Sequence, residues 1–205
     1  MQSKICGLTT TEHVETCVLN GADYCGFILN YKESHRFVDY KTVVRLTKVK
    51  KQNTSYVGVL VNPSEEELKI FSKLSLDYFQ IYGHYSEEQI KKIKDNYEKK
   101  IIISLQIKQE QDILMYKIYE KTADIILFDS SGLHQSLSWN YDWIKQVPSS
   151  ITKMLAGNVN IEMLEKLKEI TDIVDVSGAL ETDKVKELNK IKNFLNKVKQ
   201  INDQN

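Results

Sequence analysis

Cysteine is scarce in this 205-residue chain, and the three present (Cys6, Cys17, Cys25) form no CxxC pair. An odd, scattered set argues against a disulfide framework and a zinc site, and for a reducing cytoplasm. The four histidines (His13, His35, His84, His134) show no HxxxH or HExxH spacing, so no metal is expected. Two prolines and eight glycines exclude disordered and fibrous classes. Neither sign of charge dominates: 28 basic and 28 acidic residues cancel. That argues against a nucleic-acid partner, which calls for a basic face. No apolar run reaches the roughly 18 residues that cross a bilayer, and MQSKICGLTT lacks the apolar core and cleavage pattern of a signal peptide. No membrane partner is therefore expected.

What is present is a steady alternation. Short apolar runs read as buried parallel strands: 4–7, 24–29, 56–61, 78–81, 101–105, 123–128, 152–156 and 173–176. Helix patterns lie between them. Thr9, Thr10 and Thr11 are candidate N-caps for a helix over 11–20, and Ser64 and Ser86 each precede a run of glutamates. Helical periodicity also covers 109–120 and 161–169. A last helix, from about 183 to 198, carries Val185, Leu188, Ile191, Phe194 or Leu195, and Val198 on one stripe. The tail 200–205 is expected to fray.

Strand–helix alternation implies a parallel sheet with right-handed crossovers, and eight units suit an α/β fold of the single (β/α)8 TIM barrel type, one domain over 1–205. A doubly wound open sheet is the alternative, but neither GxGxxG nor GxxxxGK[ST] occurs. Barrels of this kind work at the C-terminal ends of their strands. There the sequence puts Cys6, Arg36, Asn62, Gln80, Asp129, Gly157-Asn158 and Ser177-Gly178-Ala179. Cys6 and Asp129 are titratable. Glycines after strands seven and eight suit phosphate binding by backbone N–H groups. Arg36 is one of two arginines among many lysines, which suggests a planar fork for a carboxylate. The plainer readings stand beside these: a packed cysteine, an N-cap aspartate, turn glycines, and Arg36 paired with Glu33 or Asp39 at the surface.

Eight segments in order then resemble one family: Lys4-Ile5-Cys6-Gly7, Gly21-Ala22-Asp23, Ser34-His35-Arg36, the run ending at Asn62, Gln80-Ile81-Tyr82-Gly83, Phe128-Asp129, Ala156-Gly157 and Asp175-Val176-Ser177 with Glu181. The chain resembles phosphoribosylanthranilate isomerase of tryptophan biosynthesis. The resemblance implies an Amadori rearrangement of N-(5'-phosphoribosyl)anthranilate to 1-(2-carboxyphenylamino)-1-deoxyribulose 5-phosphate, with no cofactor, by a monomer or homodimer. It implies Cys6 as general base, Asp129 as general acid and Arg36 as the holder of the anthranilate carboxylate. Gln80 and Asn62 would contact substrate, and Gly157, Asn158, Ser177, Gly178 and Ala179 would hold phosphate. The chain departs from the family pattern at His35 (usually Pro), Tyr82 (usually His), Asn158 (usually Gly), the stretch 130–136, and the position of Gly178. Two other classes remain open from the residues: a metal- or lysine-dependent enzyme on a similar phosphate-binding barrel, and a phosphometabolite-binding protein without turnover. Lys4, at the start of strand one, is expected to point away from the mouth. His84 and His134 have no assigned partner; His134 lies on a stretch positioned to cover a substrate.

Overall fold

Eight parallel strands close on themselves in the computed structural model, which describes residues 1–130 and 137–204. They are β1 (Gln2–Cys6), β2 (Tyr24–Ile28), β3 (Ser55–Val61), β4 (Tyr78–Tyr82), β5 (Lys100–Ile107), β6 (Ile125–Ser130), β7 (Lys153–Leu155) and β8 (Ile173–Val176). Each pairs with the next, and β8 pairs with β1. This is the (β/α)8 barrel that the alternation implies. Around it run α1 (Thr11–Leu19), α2 (Tyr40–Leu46), α3 (Glu65–Phe71), α4 (Glu87–Tyr97), α5 (Tyr116–Tyr119), α6 (Leu164–Leu167) and α7 (Leu188–Asp203). A 3₁₀ turn, Tyr141–Gln146, stands in the sixth crossover.

Alternation along each strand sorts side chains into two apolar layers. Outward residues such as Ile5, Phe27, Phe79, Ile81 and Phe128 pack under the helices. Inward residues such as Tyr24, Val57, Tyr78, Ile102, Leu127 and Met154 fill the lumen. Tyr24 and Tyr78 meet edge to face, with centroids 5.6 Å apart. The same register turns Lys4 and Cys6 of β1, Tyr82 of β4, Asp129 of β6 and Asp175 of β8 inward.

The N-terminal end of the barrel is held by a device repeated at every second strand. An aspartate immediately precedes β2, β4, β6 and β8: Asp23, Asp77, Asp124 and Asp172. Each carboxylate accepts the N–H of a residue on the preceding odd strand (Ser3, Tyr56, Ile101 and Lys153) at 2.7 to 2.8 Å. Each aspartate N–H donates back to the carbonyl of that same residue. A strand-end N–H that would otherwise lack a ladder partner is satisfied this way. Lys51 and Lys94 add ion pairs to Asp77 and Asp124.

Helix starts follow the caps the sequence offers. Thr10 accepts the His13 N–H, and Ser64 and Ser86 each form a reciprocal capping box, with Glu67 and Gln89. Three expectations change. The stretch 109–120 is a 3₁₀ helix (Glu110–Met115) followed by the single turn of α5, and 161–169 is likewise split between a 3₁₀ turn (Ile161–Met163) and α6. The last helix begins at Leu188, because residues 181–186 form a hairpin of β9 (Glu181–Thr182) and β10 (Val185–Lys186). Its two turn residues, Asp183 and Lys184, both have positive φ (49° and 64°), the mark of a type I′ turn. Val185 therefore stands on the hairpin, 60% exposed, instead of joining the helix stripe.

The tail does not fray as expected. Helix α7 continues to Asp203 with Ile201 fully buried, and the terminal ammonium of Met1 donates to Asn202 Oδ1 at 2.8 Å.

Replacing Asp124 by alanine removes the acceptor of the Ile101 N–H at the end of the barrel away from the inward-facing titratable groups. Urea unfolding should show a loss of about 1–3 kcal/mol.

Candidate active site

At the C-terminal end of the strands a cavity of about 170 Å³ opens into the barrel. Cys6, Tyr82, Asp129 and Asp175 line it from four strands, and Arg36 stands on its wall. Gly26 of β2 keeps space beside the thiol: a Cβ there would come 3.0 Å from Cys6 Sγ and 3.3 Å from Lys4 Cε.

Two residues before Cys6 on the same face lies Lys4, completely buried, its ammonium 2.8 Å from Asp175 Oδ2. The pair are register partners across the β1–β8 seam. Burial opposes the charge on Lys4, but Asp175 and Cys6 outweigh it and raise the ammonium above its ordinary value, so it stays protonated. Burial pushes the Cys6 thiol up, and the Lys4 charge pulls against that. Asp175 also rises through burial, with Lys4 opposing. Its Oδ1 has no partner among the described residues. Asp129 is pushed up to about 6 by burial, against a hydrogen bond from Tyr82. That leaves an appreciable fraction of acid form near neutral pH.

Arg36 does not pair with Glu33 or Asp39. The Asp39 side chain caps α2 by accepting the Thr42 N–H. The arginine instead crosses over Gly7 and grips Glu181 with two bonds, Nε to Oε1 at 2.6 Å and Nη2 to Oε2 at 2.9 Å. Gly7 has φ +76°, and a Cβ there would sit 2.4 Å from Arg36 Cδ, so only glycine permits this crossing. The hairpin after β8 supplies the rest: Lys186, almost wholly buried, bonds Glu181 Oε1 at 2.5 Å and reaches Ser177. His35 Nε2 lies 3.1 Å from Glu181 Oε2. Burial alone would raise Glu181, but Arg36 and Lys186 hold it at about 2.

The opposite rim is made of backbone. Gly157 and Asn158 turn with positive φ (96° and 56°), and Asn158 tolerates the conformation that glycine usually takes. Tyr141 donates to the Gly157 carbonyl, and Trp139 Nε1 donates to the Ala156 carbonyl at 2.9 Å. Beside them a 3₁₀ turn (Gly178–Leu180) starts at the cavity edge, its first N–H groups unused within the turn.

The sequence model described as N-(5'-phosphoribosyl)anthranilate isomerase matches residues 3–197. The N-(5'-phosphoribosyl)anthranilate isomerase of Streptococcus mutans is 33% identical, over 96% of this chain and 97% of its own length. The chain belongs to this isomerase family. The crystal structure of phosphoribosyl anthranilate isomerase from Thermotoga maritima is similar with a TM-score of 0.87 at 25% identity, covering 98% of this chain and 99% of that one. A structure of phosphoribosyl anthranilate isomerase in complex with reduced 1-(o-carboxyphenylamino)-1-deoxyribulose 5-phosphate is also similar, with a TM-score of 0.84 at 25% identity and the same coverage of both chains.

Of the residues expected to serve such an isomerase, Cys6, Arg36, Asp129, Gly157, Asn158, Ser177, Gly178 and Ala179 all border the one cavity. Gln80 and Asn62 do not. Gln80 lies fully buried one layer below, its Nε2 donating to Tyr82 Oη at 3.1 Å and its Oε1 without a partner among the described residues. Asn62 is exposed at the rim, where its N–H donates to the Tyr82 carbonyl. His84 is exposed. His134 and the rest of 131–136 lie outside the described residues. Lys4 does not turn away: it points into the lumen beneath Cys6. The sequence reading also missed Tyr82, Asp175 and Lys186 as parts of the site. For Lys4 and Tyr82 the signal was available, since each stands two residues from another inward residue and side chains at i and i+2 share a strand face. Among the described residues no helix is long and apolar enough to cross a membrane.

The raised Asp129 has a stability consequence with a definite sign. Its folded value of about 6 lies above the ordinary 3.8, so ionising it disfavours the folded state as pH rises past that range. Asp129→Asn should be more stable than the parent by on the order of 2 kcal/mol at pH 8. Urea titrations at several pH values should show the advantage fading through pH 6 and absent below 4.

Proposed function

We propose that this chain catalyses the Amadori rearrangement of N-(5'-phosphoribosyl)anthranilate to 1-(2-carboxyphenylamino)-1-deoxyribulose 5-phosphate in tryptophan biosynthesis. The observation that carries the mechanism is that a thiol and a raised carboxyl line one cavity, with an arginine on its wall and two backbone turns, at 157–158 and 177–179, on its rim. Asp129 in its acid form protonates the ribose ring oxygen. The C1–O bond then breaks, and the anthranilate nitrogen's lone pair forms the iminium. Cys6 as thiolate takes the proton from C2, and the C2–H electrons flow into the iminium to give an enolamine. Tautomerisation of the enolamine gives the ketone. The iminium is the electron sink, so this sequence needs no cofactor.

The surroundings support each role. The fixed Lys4 charge favours a Cys6 thiolate, which the desolvated site otherwise disfavours. Asp129 with a value of about 6 is poised between donating and recovering a proton. Glu181 occupies two of the five guanidinium donors of Arg36 and fixes its plane, leaving the others for the anthranilate carboxylate. The 5'-phosphate belongs at Gly157, Asn158, Ser177, Gly178 and Ala179, with the N–H groups of the two turns as donors. The enzyme works in the cytoplasm as a monomer or homodimer.

The test is a fluorescence assay with freshly generated phosphoribosylanthranilate. The parent should consume it. Cys6→Ala and Asp129→Asn, with unchanged circular dichroism, should each lose about 100-fold or more in kcat. Parent-like turnover by either variant removes that residue from its role.

A further inference from the structure

Tyr82 is one of the cavity residues that the mechanism above does not use. It lines the site, and its hydroxyl lies 2.8 Å from Asp129 Oδ2. The two oxygens of Asp129 have different kinds of partner. Oδ1 accepts the backbone N–H of Ser130 at 2.7 Å, with the Ser130 hydroxyl at 3.5 Å. A backbone N–H can only donate, so Oδ1 remains an acceptor in both protonation states. The acid proton therefore resides on Oδ2. Among the described residues Tyr82 is the partner of that oxygen able to reverse its bond: a phenol donates to a carboxylate and accepts from a carboxylic acid.

Gln80 sets the phenol's rotor. Its Nε2 donates to Tyr82 Oη at 3.1 Å, filling one lone pair of the oxygen and turning the hydroxyl hydrogen toward Asp129. Gln80 is fully buried beneath the cavity, while Tyr82 and Asp129 are half-buried on its wall, so the Gln80 end of the chain is fixed in the interior and the Asp129 end meets the cavity.

We infer that Tyr82 is a positioning residue for the general acid: held by Gln80, it donates to the Asp129 carboxylate and accepts from the acid, and so fixes Oδ2 and the carboxyl plane at the cavity in both protonation states. The inference rests on the reading of Asp129 as the acid. The other groups facing Asp129 are Asp175 of β8, whose charge favours the acid form, and Lys4 of β1, whose charge favours the carboxylate. Tyr141, in the sixth crossover, is also within electrostatic reach. None of these makes a hydrogen bond to Asp129 Oδ2 among the described residues, so the Tyr82 contribution is separable from theirs.

The experiment is an infrared titration of the Asp129 carboxyl in uniformly 13C-aspartate-labelled protein, with Asp129→Asn as the blank, on the parent, Tyr82→Phe and Gln80→Leu. Loss of the phenol's donor should move the Asp129 midpoint up from about 6 in the parent. The expected rise is roughly one unit in Tyr82→Phe, with a smaller rise in Gln80→Leu, where the phenol remains but is no longer held. kcat should fall about 10-fold in Tyr82→Phe, with KM within about twofold, and the same change in an Asp129→Asn background should cost nothing further. An unmoved midpoint in both single variants overturns the inference while leaving the acid role intact. Parent-like turnover by Asp129→Asn overturns both.

Discussion

Lys4 and Asp175 face each other across the seam where the first and last strands meet, 2.8 Å apart and enclosed by the lumen. A buried ion pair of this kind is not a large net source of stability, because two charges must leave water to form it. Its effect is on specificity. Removing either partner strands the other charge in a dry interior, a loss of about 3–5 kcal/mol, so the seam closes in this register or not at all. The same pair reaches the cavity through Asp175. It puts a positive charge beneath Cys6, and Asp175 Oδ1 has no partner among the described residues. Barrel closure and site electrostatics thus share one interaction.

The two ends of the barrel are built on different principles. At the N-terminal end, four aspartates satisfy strand-end N–H groups of the neighbouring strand in a repeating pattern. At the C-terminal end, charged groups come together from across the chain. Arg36, Glu181 and Lys186 form one network, Asp129, Tyr82 and Gln80 another, with Cys6 between them at the cavity wall. The first arrangement lowers the free energy of the fold. The second arrangement raises the Asp129 carboxyl to about 6 by burial and sets the Lys4 charge against the burial that raises the Cys6 thiol.

Several departures from the family pattern have local physical accounts. Asn158 replaces glycine at a positive-φ position, a substitution asparagine tolerates better than other residues. His35 stands where proline is usual and gains a contact with Glu181. Tyr82 replaces histidine and reaches Asp129 through its hydroxyl.

The sequence by itself determined the strands, because a buried parallel strand must be a short apolar run, and the eight runs recur in the right order. It also placed helix starts near Thr9, Thr10 and Thr11, and at Ser64 and Ser86, where hydroxyl residues precede acidic ones, and the structure selected Thr10 as the first cap. Cys6, Arg36 and Asp129 were legible as site residues from their place at strand ends and from the family motifs. The hairpin at 181–186 was not, since its turn, Asp183-Lys184, carries no glycine, and a run of helix-forming residues reads as helix. Nor was the depth of Gln80, one layer below the cavity, or the anchoring of the tail to Met1. Only the tertiary structure decided that Lys4 meets Asp175, 171 residues away, that Arg36 meets Glu181, 145 residues away, and that Tyr82 meets Asp129. These pairings are set by the stagger with which the sheet closes and by where the last hairpin folds back. A local sequence pattern fixes the face on which a side chain stands, but the residue opposite it comes from the geometry of closure.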